Sequence, residues 1–217
     1  MNTIIVSANS PDAIQRAIHI LNNGGLVAFP TDTVYGVGAL VFDDNAVRSI
    51  YIAKDRPIEK AIPVLMADAA DMEKVGMNIP AIAHQLAARF FPGPLTCIIP
   101  KKPTLPESVS ATSTVGVRVP DHEVARALLR AAGPMAVTSA NISGQASPST
   151  AEEVFAQLGG RIELIIDGGK TPGGVPSTVV DCTGNEIKIL REGPIGLTEI
   201  LTATDYLTQW FWDADER

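Results

Sequence analysis

Short apolar segments of strand length alternate along this chain with amphipathic segments of helical length. In residues 13–21 the apolar side chains recur at helical spacing, and the apolar run 26–30 follows as a buried strand. Gly24 and Gly25 lie between the two and predict the end of the helix. Because repeated alternation of this kind buries a sheet between helices, the sequence predicts an α/β fold, called α+β in some schemes.

The same patterns extend over most of the chain. Further helices are predicted at residues 45–54, 79–91, 121–129 and 151–158, with Asp121 as the cap of the third. Further strands are predicted at residues 62–66, 95–99, 115–119, 135–138, 164–167, 178–181 and 187–191. Residues 168–175 form a glycine-rich loop, and the aromatic segment 206–212 predicts a terminal helix on the core or an oligomer contact.

Length and composition favour one domain. The chain has 217 residues, of which 46% are hydrophobic and only 5% aromatic, so aliphatic side chains must build the interior. No repeat and no low-complexity linker divides it. We expect a single domain over residues 1–217, with its core at about 10–193 and a helical extension at 194–217.

The distribution of charge argues against extensive contact with nucleic acid. The formal net charge is −7, and the whole acidic excess lies in residues 151–217. Binding along a phosphate backbone needs clustered Lys and Arg, and no such run is present. The sequence therefore predicts at most weak direct binding of RNA.

The cysteines and the N-terminus suggest an ordinary cytoplasmic protein. Cys97 and Cys182 are not in a metal-ligand or redox spacing, so we interpret them as small buried hydrophobic residues. The first residues carry no secretory signal, and no apolar run is long enough to span a membrane. We therefore predict no membrane association.

The chain lacks the residue patterns of common hydrolytic catalysis. His19, His84 and His122 are interpreted as surface or capping residues, and no Ser/His/Asp or Cys/His arrangement accompanies them. Asp32 lies between two threonines, where a local hydrogen bond in the turn accounts for it about as well as chemistry does. A metal site is not predicted either.

Dispersed cations suit polyphosphate chemistry instead. Lys54, Arg56 and Lys60 lie near a predicted helix end, and Arg118 and Arg191 each end a predicted strand. Phosphoryl and nucleotidyl transfer need mainly positioning and neutralisation of charge, so cations, hydroxyls and amides can suffice. A solvated helix end is the alternative interpretation of the first group.

Two familiar phosphate-binding motifs are excluded. The sequence GKT at residues 169–171 resembles part of a P-loop, but Leu164 stands where that motif requires glycine. No G-x-G-x-x-G follows a predicted strand, which removes the dinucleotide-binding fingerprint. The turn SAN at residues 139–141 is weak evidence alone, because Ser and Asn commonly cap helices and form turns.

Six short motifs taken in order are far more specific. They are PTDTVYG at 30–36, KDRP at 54–57, PGPLT at 92–96, GVRVP at 116–120, SANISG at 139–144 and PSTVVD at 176–181. This set resembles the YrdC family of threonylcarbamoyl-AMP synthases, over residues 24–193. Like the active members of that family, this sequence keeps both Lys54 with Arg56 and Ser139 with Asn141.

The resemblance implies a three-layer fold with a twisted, open mixed β-sheet flanked by helices. Longer family members add a C-terminal domain, and only about 24 residues follow Gly193, so we expect the short bacterial-type form. The implied activity joins L-threonine, bicarbonate or CO2, and ATP into threonylcarbamoyl-AMP and pyrophosphate, the first step of a tRNA modification.

Site residues follow from the same resemblance. It implies Lys54, Arg56, Ser139 and Asn141 as catalytic residues. L-Threonine would be held by Thr33, Arg118, Ser139 and Ser177, with the Arg118 guanidinium on the carboxylate. ATP would be surrounded by Lys54, Arg56, Lys60, Thr114, Asn141, Ser149 and Arg191. Mg²⁺ would arrive with the triphosphate, since no carboxylate cluster is visible.

The expected partners are the substrates and a tRNA threonylcarbamoyl transferase complex that receives the product, with the enzyme itself a monomer or weak dimer. The glycine-rich loop 168–174 is a candidate cover, because a free carbamate decomposes in water. One alternative is a family member that binds nucleotide or RNA without synthase activity, for example a ribosome-assembly or double-stranded-RNA-binding protein. Another is an adenylate synthase of the same fold that uses a different amine or carbamoyl phosphate.

Overall fold

The computed structural model describes residues 2–172, 175–184 and 186–204. Their strands are β1 Ile4–Ser7, β2 Val27–Phe29, β3 Gly36–Leu40, β4 Val64–Leu65, β5 Leu95–Pro100, β6 Thr114–Arg118, β7 Met135–Ser139, β8 Leu164–Asp167, β9 Thr178–Asp181 and β10 Lys188–Arg191. Their helices are α1 Ala13–Asn22, α2 Asp44–Lys54, α3 Met72–Val75, α4 Ala81–Phe90, α5 Glu123–Ala132, α6 Ala151–Leu158 and α7 Leu197–Thr202.

Every helix and strand predicted inside the described residues is present, and the differences are local. Strand β4 keeps only two residues of its predicted five, and α5 has His122 rather than Asp121 as its N-cap. Strands β1 and β3 and the short helix α3 were not predicted. The aromatic segment 206–212 lies outside the described residues.

One mixed sheet contains all ten strands, in the order β1-β8-β2-β3-β7-β4-β6-β5-β9-β10. Strand β8 pairs in parallel with both β1 and β2, whereas β3 pairs antiparallel with β2 and β7. The order ends at β1 on one side and β10 on the other, so this sheet is open, as predicted. Strand β1 belongs to this sheet, and the buried Ile195 and Ile200 pack in the core beyond residue 193.

Helices pack on both faces of the sheet because successive strand residues point to opposite sides. On one face, α2, α4 and α6 bury residues such as Ile50, Leu86 and Val154 against Val64 and Val117. On the other face, α1 and α5 pack together over the part of the sheet that contains β8, β2 and β7. Gly116 and the Arg118 side chain in β6 lie on this second face, opposite to Val115 and Val117.

None of the helices in the described residues is both long enough and apolar enough to cross a membrane.

Glycine in β3 permits close approach of the neighbouring strand β7. A methyl group at Gly38 would lie 2.7 Å from Val137 Cγ2 and 2.8 Å from the Ala136 carbonyl oxygen. Glycine is unfavourable inside strands, and β3 contains two glycines, so the sequence gives only a weak strand signal there.

We expect Gly38→Ala to lower the free energy of unfolding by about 1–3 kcal/mol, because the added methyl overpacks the β3–β7 contact. Urea denaturation measures the change. Gly184→Ala is the matched control, since its methyl would meet no atom closer than 3.9 Å. Equal midpoints for the two variants would contradict the assigned contact.

Candidate active site

A cavity of about 460 Å³ lies on the part of the second face that α1 and α5 leave uncovered. Its floor is the sheet itself, with residues from β3, β7, β4, β6, β5, β9 and β10. The wall includes six of the predicted site residues. They are Thr33, Arg56, Arg118, Ser139, Ser177 and Arg191.

The floor is apolar in its middle and polar toward two ends. Gly116 lies beside Ile98 in the antiparallel pair of β6 and β5, and a methyl on Gly116 would lie 3.5 Å from Pro63 Cβ. Arg118 lies two residues further along β6, about 7 Å away by strand geometry. Gly116 thus adds no side chain to the floor between the polar ends of the cavity.

Arg118 is fixed from three directions. Its Nε donates to the Gly93 carbonyl at 3.0 Å, one Nη1–H donates to Thr33 Oγ1 at 3.3 Å, and Nη2 pairs with Asp32 Oδ1 at 2.5 Å. The two side chains of the ion pair are only 8% and 13% exposed. Burial lowers the pKa of Arg118, and the Asp32 carboxylate opposes that shift. The guanidinium therefore presents a fixed orientation to the cavity.

Asp32 consequently has a role that the turn interpretation did not include. Its carboxylate pairs with a residue 86 positions away, and its second oxygen, Oδ2, is buried without a hydrogen-bond partner. The neighbouring imidazole of His122 is also partly buried, which lowers its pKa, and its Nδ1 has no hydrogen-bond partner. None of the three histidines lines the cavity.

Ser177 and Arg191 form a second fixed group. Arg191 Nη2 donates to the Ser177 carbonyl at 2.8 Å and to Ser177 Oγ at 3.0 Å, and Nε donates to the same carbonyl at 3.1 Å. Ser177 Oγ is 2.8 Å from Thr96 Oγ1 on β5. The residues assigned to threonine and to ATP by resemblance thus meet at Ser177.

Arg56 holds the loop that leads from α2 to β4. Its Nε donates to the Lys60 carbonyl at 3.1 Å and its Nη2 to the Ala61 carbonyl at 2.9 Å, and burial lowers its pKa. Within the part of the chain that the structure describes, its remaining N–H groups have no other hydrogen-bond acceptor and can bind a ligand in the cavity. Lys60 contributes its carbonyl to this arrangement, but its exposed side chain does not line the cavity.

Lys54 is buried behind the cavity wall and does not line it. Its ammonium donates to the carbonyls of Ser139 and Asn141, and its own carbonyl accepts from Ser143 N–H at 2.8 Å. Burial, and to a lesser degree the nearby Arg56, lowers the pKa of Lys54 to about 7. In this structure Lys54 holds the turn that presents Ser139 rather than facing the space available to a nucleotide.

Asn141, Ser149 and Thr114 also lie away from the wall. The Asn141 side-chain amide donates to the Ile142 and Gln145 carbonyls, so it stabilises its own turn. Ser149 bonds Glu153 and lies in a neighbouring polar cavity that shares Ser147 with the first. Thr114 has the same orientation on β6 as Gly116 and Arg118, at the far end of that strand.

Five polar residues of the site went unpredicted. Asp32 orients Arg118, and the cavity wall includes Thr31, Thr96, Thr138 and Ser147. Strand alternation offered a signal for two of them, because Thr96 and Thr138 are polar residues within predicted buried strands. No local signal could pair Asp32 with Arg118.

Tyr35 anchors the start of the glycine-rich loop. Its hydroxyl donates to the Gly169 carbonyl at 2.7 Å and accepts from Gly168 N–H at 3.2 Å. Burial, chiefly, raises the pKa of Tyr35 to about 12, so the hydroxyl keeps its proton. The predicted role of this loop as a cover stays a prediction, because Gly173 and Gly174 lie outside the described residues.

Comparison with known proteins identifies the family. The Sua5/YciO/YrdC family model, described as "Telomere recombination", matches residues 19–193. The chain belongs to the Sua5/YciO/YrdC family.

Curated members of this family are similar over most of the chain. Threonylcarbamoyl-AMP synthase from Pyrococcus abyssi is 44% identical over 189 residues, which are 86% of this chain and 56% of the relative. The Bacillus subtilis protein of the same name is 43% identical over 198 residues, 90% of this chain and 57% of the relative. The chain therefore spans just over half the length of these two relatives.

A solved structure of the family shares the fold. The crystal structure of P. abyssi Sua5 complexed with L-threonine superposes with a TM-score of 0.88 at 42% identity, covering 94% of this chain and 61% of that one. The mixed sheet flanked by helices is thus the fold of the Sua5/YciO/YrdC family.

We expect Asp32→Ala to lower the free energy of unfolding by about 3–5 kcal/mol, because Arg118 loses its counter-ion in a buried position. Chemical denaturation measures this loss. Asp68→Ala is the control, since Asp68 pairs with Arg126 and Arg130 on the surface and such exposed pairs contribute at most about 1 kcal/mol. A cost for Asp32→Ala no larger than the control would contradict the importance of the pair.

The free energy of unfolding should rise with pH above about pH 7 because of Lys54. The unfolded chain keeps the ordinary pKa of 10.5, whereas the folded protein releases this proton at about 7. Below pH 7 both states bind the proton and the full cost of burying the charge is present. Between the two pKa values the unfolded state binds more protons, which raises stability by up to about 1.4 kcal/mol per pH unit.

Urea denaturation of wild type and Lys54→Met at pH 7, 8 and 9 tests this linkage. The variant should lose the rise, whereas Lys101→Met, which removes a lysine bonded to the Ser110 carbonyl, should keep it. Parallel pH curves for wild type and Lys54→Met would exclude a strongly lowered pKa.

Proposed function

We propose that this protein is a threonylcarbamoyl-AMP synthase. The overall reaction consumes L-threonine, bicarbonate and ATP and yields threonylcarbamoyl-AMP, pyrophosphate and water. The amine forms an N–C bond with the bicarbonate carbon and loses a proton, and that proton leaves with hydroxide as water. An oxygen of the resulting carbamate then attacks the α-phosphorus of ATP, and the bond to pyrophosphate breaks.

The observation that carries this proposal is the meeting of Arg56, Arg118, Ser139 and Ser177 on one cavity. These residues come from four distant parts of the chain, and their polar groups surround an apolar floor. The names of the curated relatives and the L-threonine complex of P. abyssi Sua5 support the same activity.

The proposed binding mode follows from charge and shape. The amino-acid carboxylate would accept the two free N–H groups of Arg118, next to Thr33 and Ser177. The nucleotide would extend across Gly116 toward Arg56 and Ser139, with its phosphates between Arg56 and Arg191. Lys54 and Asn141 would act by holding the turn that carries Ser139. Lys60, Thr114 and Ser149 would contact only the outer parts of ATP.

The proposed catalysis relies on proximity and charge neutralisation. No carboxylate is present among the cavity-lining residues of the described ranges, and no histidine is either. Holding amine, carboxyl carbon and α-phosphorus together replaces a three-body encounter by a local one. Fixed guanidinium groups stabilise negative charge that develops on oxygen. Mg²⁺ would enter bound to the triphosphate.

In the cell the product would pass to a tRNA threonylcarbamoyl transferase, and the protein would work as a monomer or weak dimer in the cytoplasm, where ATP and tRNA are available. A direct test incubates purified protein with ATP, labelled bicarbonate and each amino acid. Labelled AMP-linked product with threonine supports the proposal. Absence of product with every amino acid, from folded protein, would reject it.

Arg56→Ala should lower the rate of pyrophosphate release by about 100-fold or more, because one preorganised cationic donor to phosphate is lost. The control is Arg16→Ala, which removes an exposed arginine paired with Asp12 on α1. Circular dichroism should show that both variants fold. A near-normal rate for folded Arg56→Ala would remove this residue from the proposed site.

A further inference from the structure

Four polar side chains form a continuous row at one end of the cavity. Arg118 on β6, Thr96 on β5, Ser177 before β9 and Arg191 on β10 all line it. Thr96 Oγ1 and Ser177 Oγ are 2.8 Å apart, and Arg191 Nη2 lies 3.0 Å from Ser177 Oγ. We refer to these four residues as the donor row.

Hydrogen-bond accounting over the described residues leaves five N–H or O–H donors unused in the donor row. Arg118 uses Nε and one N–H each of Nη1 and Nη2, which leaves two N–H groups. Arg191 uses Nε and both N–H groups of Nη2, which leaves the two on Nη1. Ser177 Oγ already accepts from Arg191 and can donate its own proton to Thr96 Oγ1, which leaves the Thr96 O–H for a ligand. Unused donors of this kind are satisfied by an anion.

The hydroxyl pair is not needed to join its strands. Strands β5 and β9 already pair in parallel over four residues, from Leu95 with Thr178 to Ile98 with Asp181. Thr96 and Ser177 are 4% exposed each, and both line the cavity. Hydroxyls so deeply buried beside a cavity are suited to a ligand that replaces water.

The charge of the cavity also favours more than one anion. Arg56, Arg118 and Arg191 line the cavity. Among the described residues, Asp32 is the only carboxylate that forms an ion pair with one of these arginines, and its partner is Arg118. Arg191 is close enough for its charge to lower the pKa of Arg118, in addition to the larger effect of burial. An amino-acid carboxylate on Arg118 still leaves the Arg191 end unneutralised.

We propose that Thr96, Ser177 and Arg191 bind bicarbonate, next to the amino acid held by Arg118. The site deepens the proposed synthase function and rests on it for its role in catalysis. Bicarbonate is a small planar oxyanion, and the remaining hydroxyl and one Nη1 donor of Arg191 can engage two of its oxygens, while the other Nη1 donor stays available to a phosphate of ATP. Sharing Ser177 with the amino-acid site brings the bicarbonate carbon close to the amine that it must join.

A phosphate of ATP is the other oxyanion that these donors could bind, and substrate dependence separates the two. We would measure pyrophosphate release in CO2-depleted buffer while varying bicarbonate, ATP and threonine in turn. Thr96→Val removes the hydroxyl and keeps a residue favoured in strands. We expect it to raise the KM for bicarbonate about ten- to hundredfold, because a hydrogen bond to a charged group is lost. The KM for ATP should change little.

Two further variants complete the kinetic test. Thr96→Ser retains the hydroxyl and should keep most of the bicarbonate affinity. If Thr96 acted only through the packing of its methyl group, Thr96→Ser would also lose that affinity. Thr202→Val removes an exposed hydroxyl on α7 that bonds the Thr198 carbonyl and serves as the matched control. An unchanged KM for bicarbonate in Thr96→Val would overturn the proposal. A larger rise in the KM for ATP would assign the donor row to the nucleotide instead.

A binding experiment separates this site from the synthase activity. Carbon-13 NMR of labelled bicarbonate, titrated with wild type and with Thr96→Val, detects binding without turnover. Weaker binding by the variant supports the site even if no amino acid yields product, in which case only the proposed function fails. No binding by active wild-type protein would show that bicarbonate does not occupy the donor row on its own and would reject the site.

Discussion

Helices α1 and α5 cover only part of one face of the sheet, and the site depends on this incomplete coverage. Their apolar residues pack over β8, β2 and β7, while α2, α4 and α6 cover the opposite face. The sheet in the uncovered region is therefore packed against helices on its opposite face, which makes it a rigid floor for the cavity. Because strand residues alternate between faces, alternate positions of β5, β6 and β9 supply the core on one side and the cavity on the other. Rigid strands can hold polar groups in a fixed arrangement better than loops can.

Within that region, electrostatics is arranged by a small number of long-range contacts. Asp32 holds Arg118, and the Ser177 carbonyl and hydroxyl hold Arg191. Each guanidinium keeps free N–H groups that face the cavity. Lys54 contributes indirectly, since its buried amine holds the turn that carries Ser139. The cavity thus has fixed donors before any ligand arrives, which lowers the cost of reorganisation when negative charge develops.

Much of the fold could be predicted from the sequence because local patterns determine it. Apolar runs and helical spacing located most elements, and Arg118 and Arg191 do end strands as predicted. Strand β3 was not predicted because Gly36 and Gly38 are unfavourable in strands. Glycine is needed at both positions because Val137 of the neighbouring strand packs closely against them. Asp32 was given a local role because its partner is remote in sequence. The resemblance implied that Lys54 contacts ATP. The burial of the Lys54 side chain behind the turn that carries Ser139 depends on tertiary packing, which no sequence motif encodes.

Arg191 lies on β10, which pairs with β9, and β9 joins the sheet through β5. The cavity therefore draws on residues from Thr31 to Arg191, and its last cation comes from the final strand of the sheet. During synthesis on the ribosome, the nascent chain cannot complete this cavity until β10 has emerged from the exit tunnel. Shorter nascent chains lack the Arg191 guanidinium at the cationic end of the cavity. Ligand capture is thus delayed until nearly the whole described chain has been made.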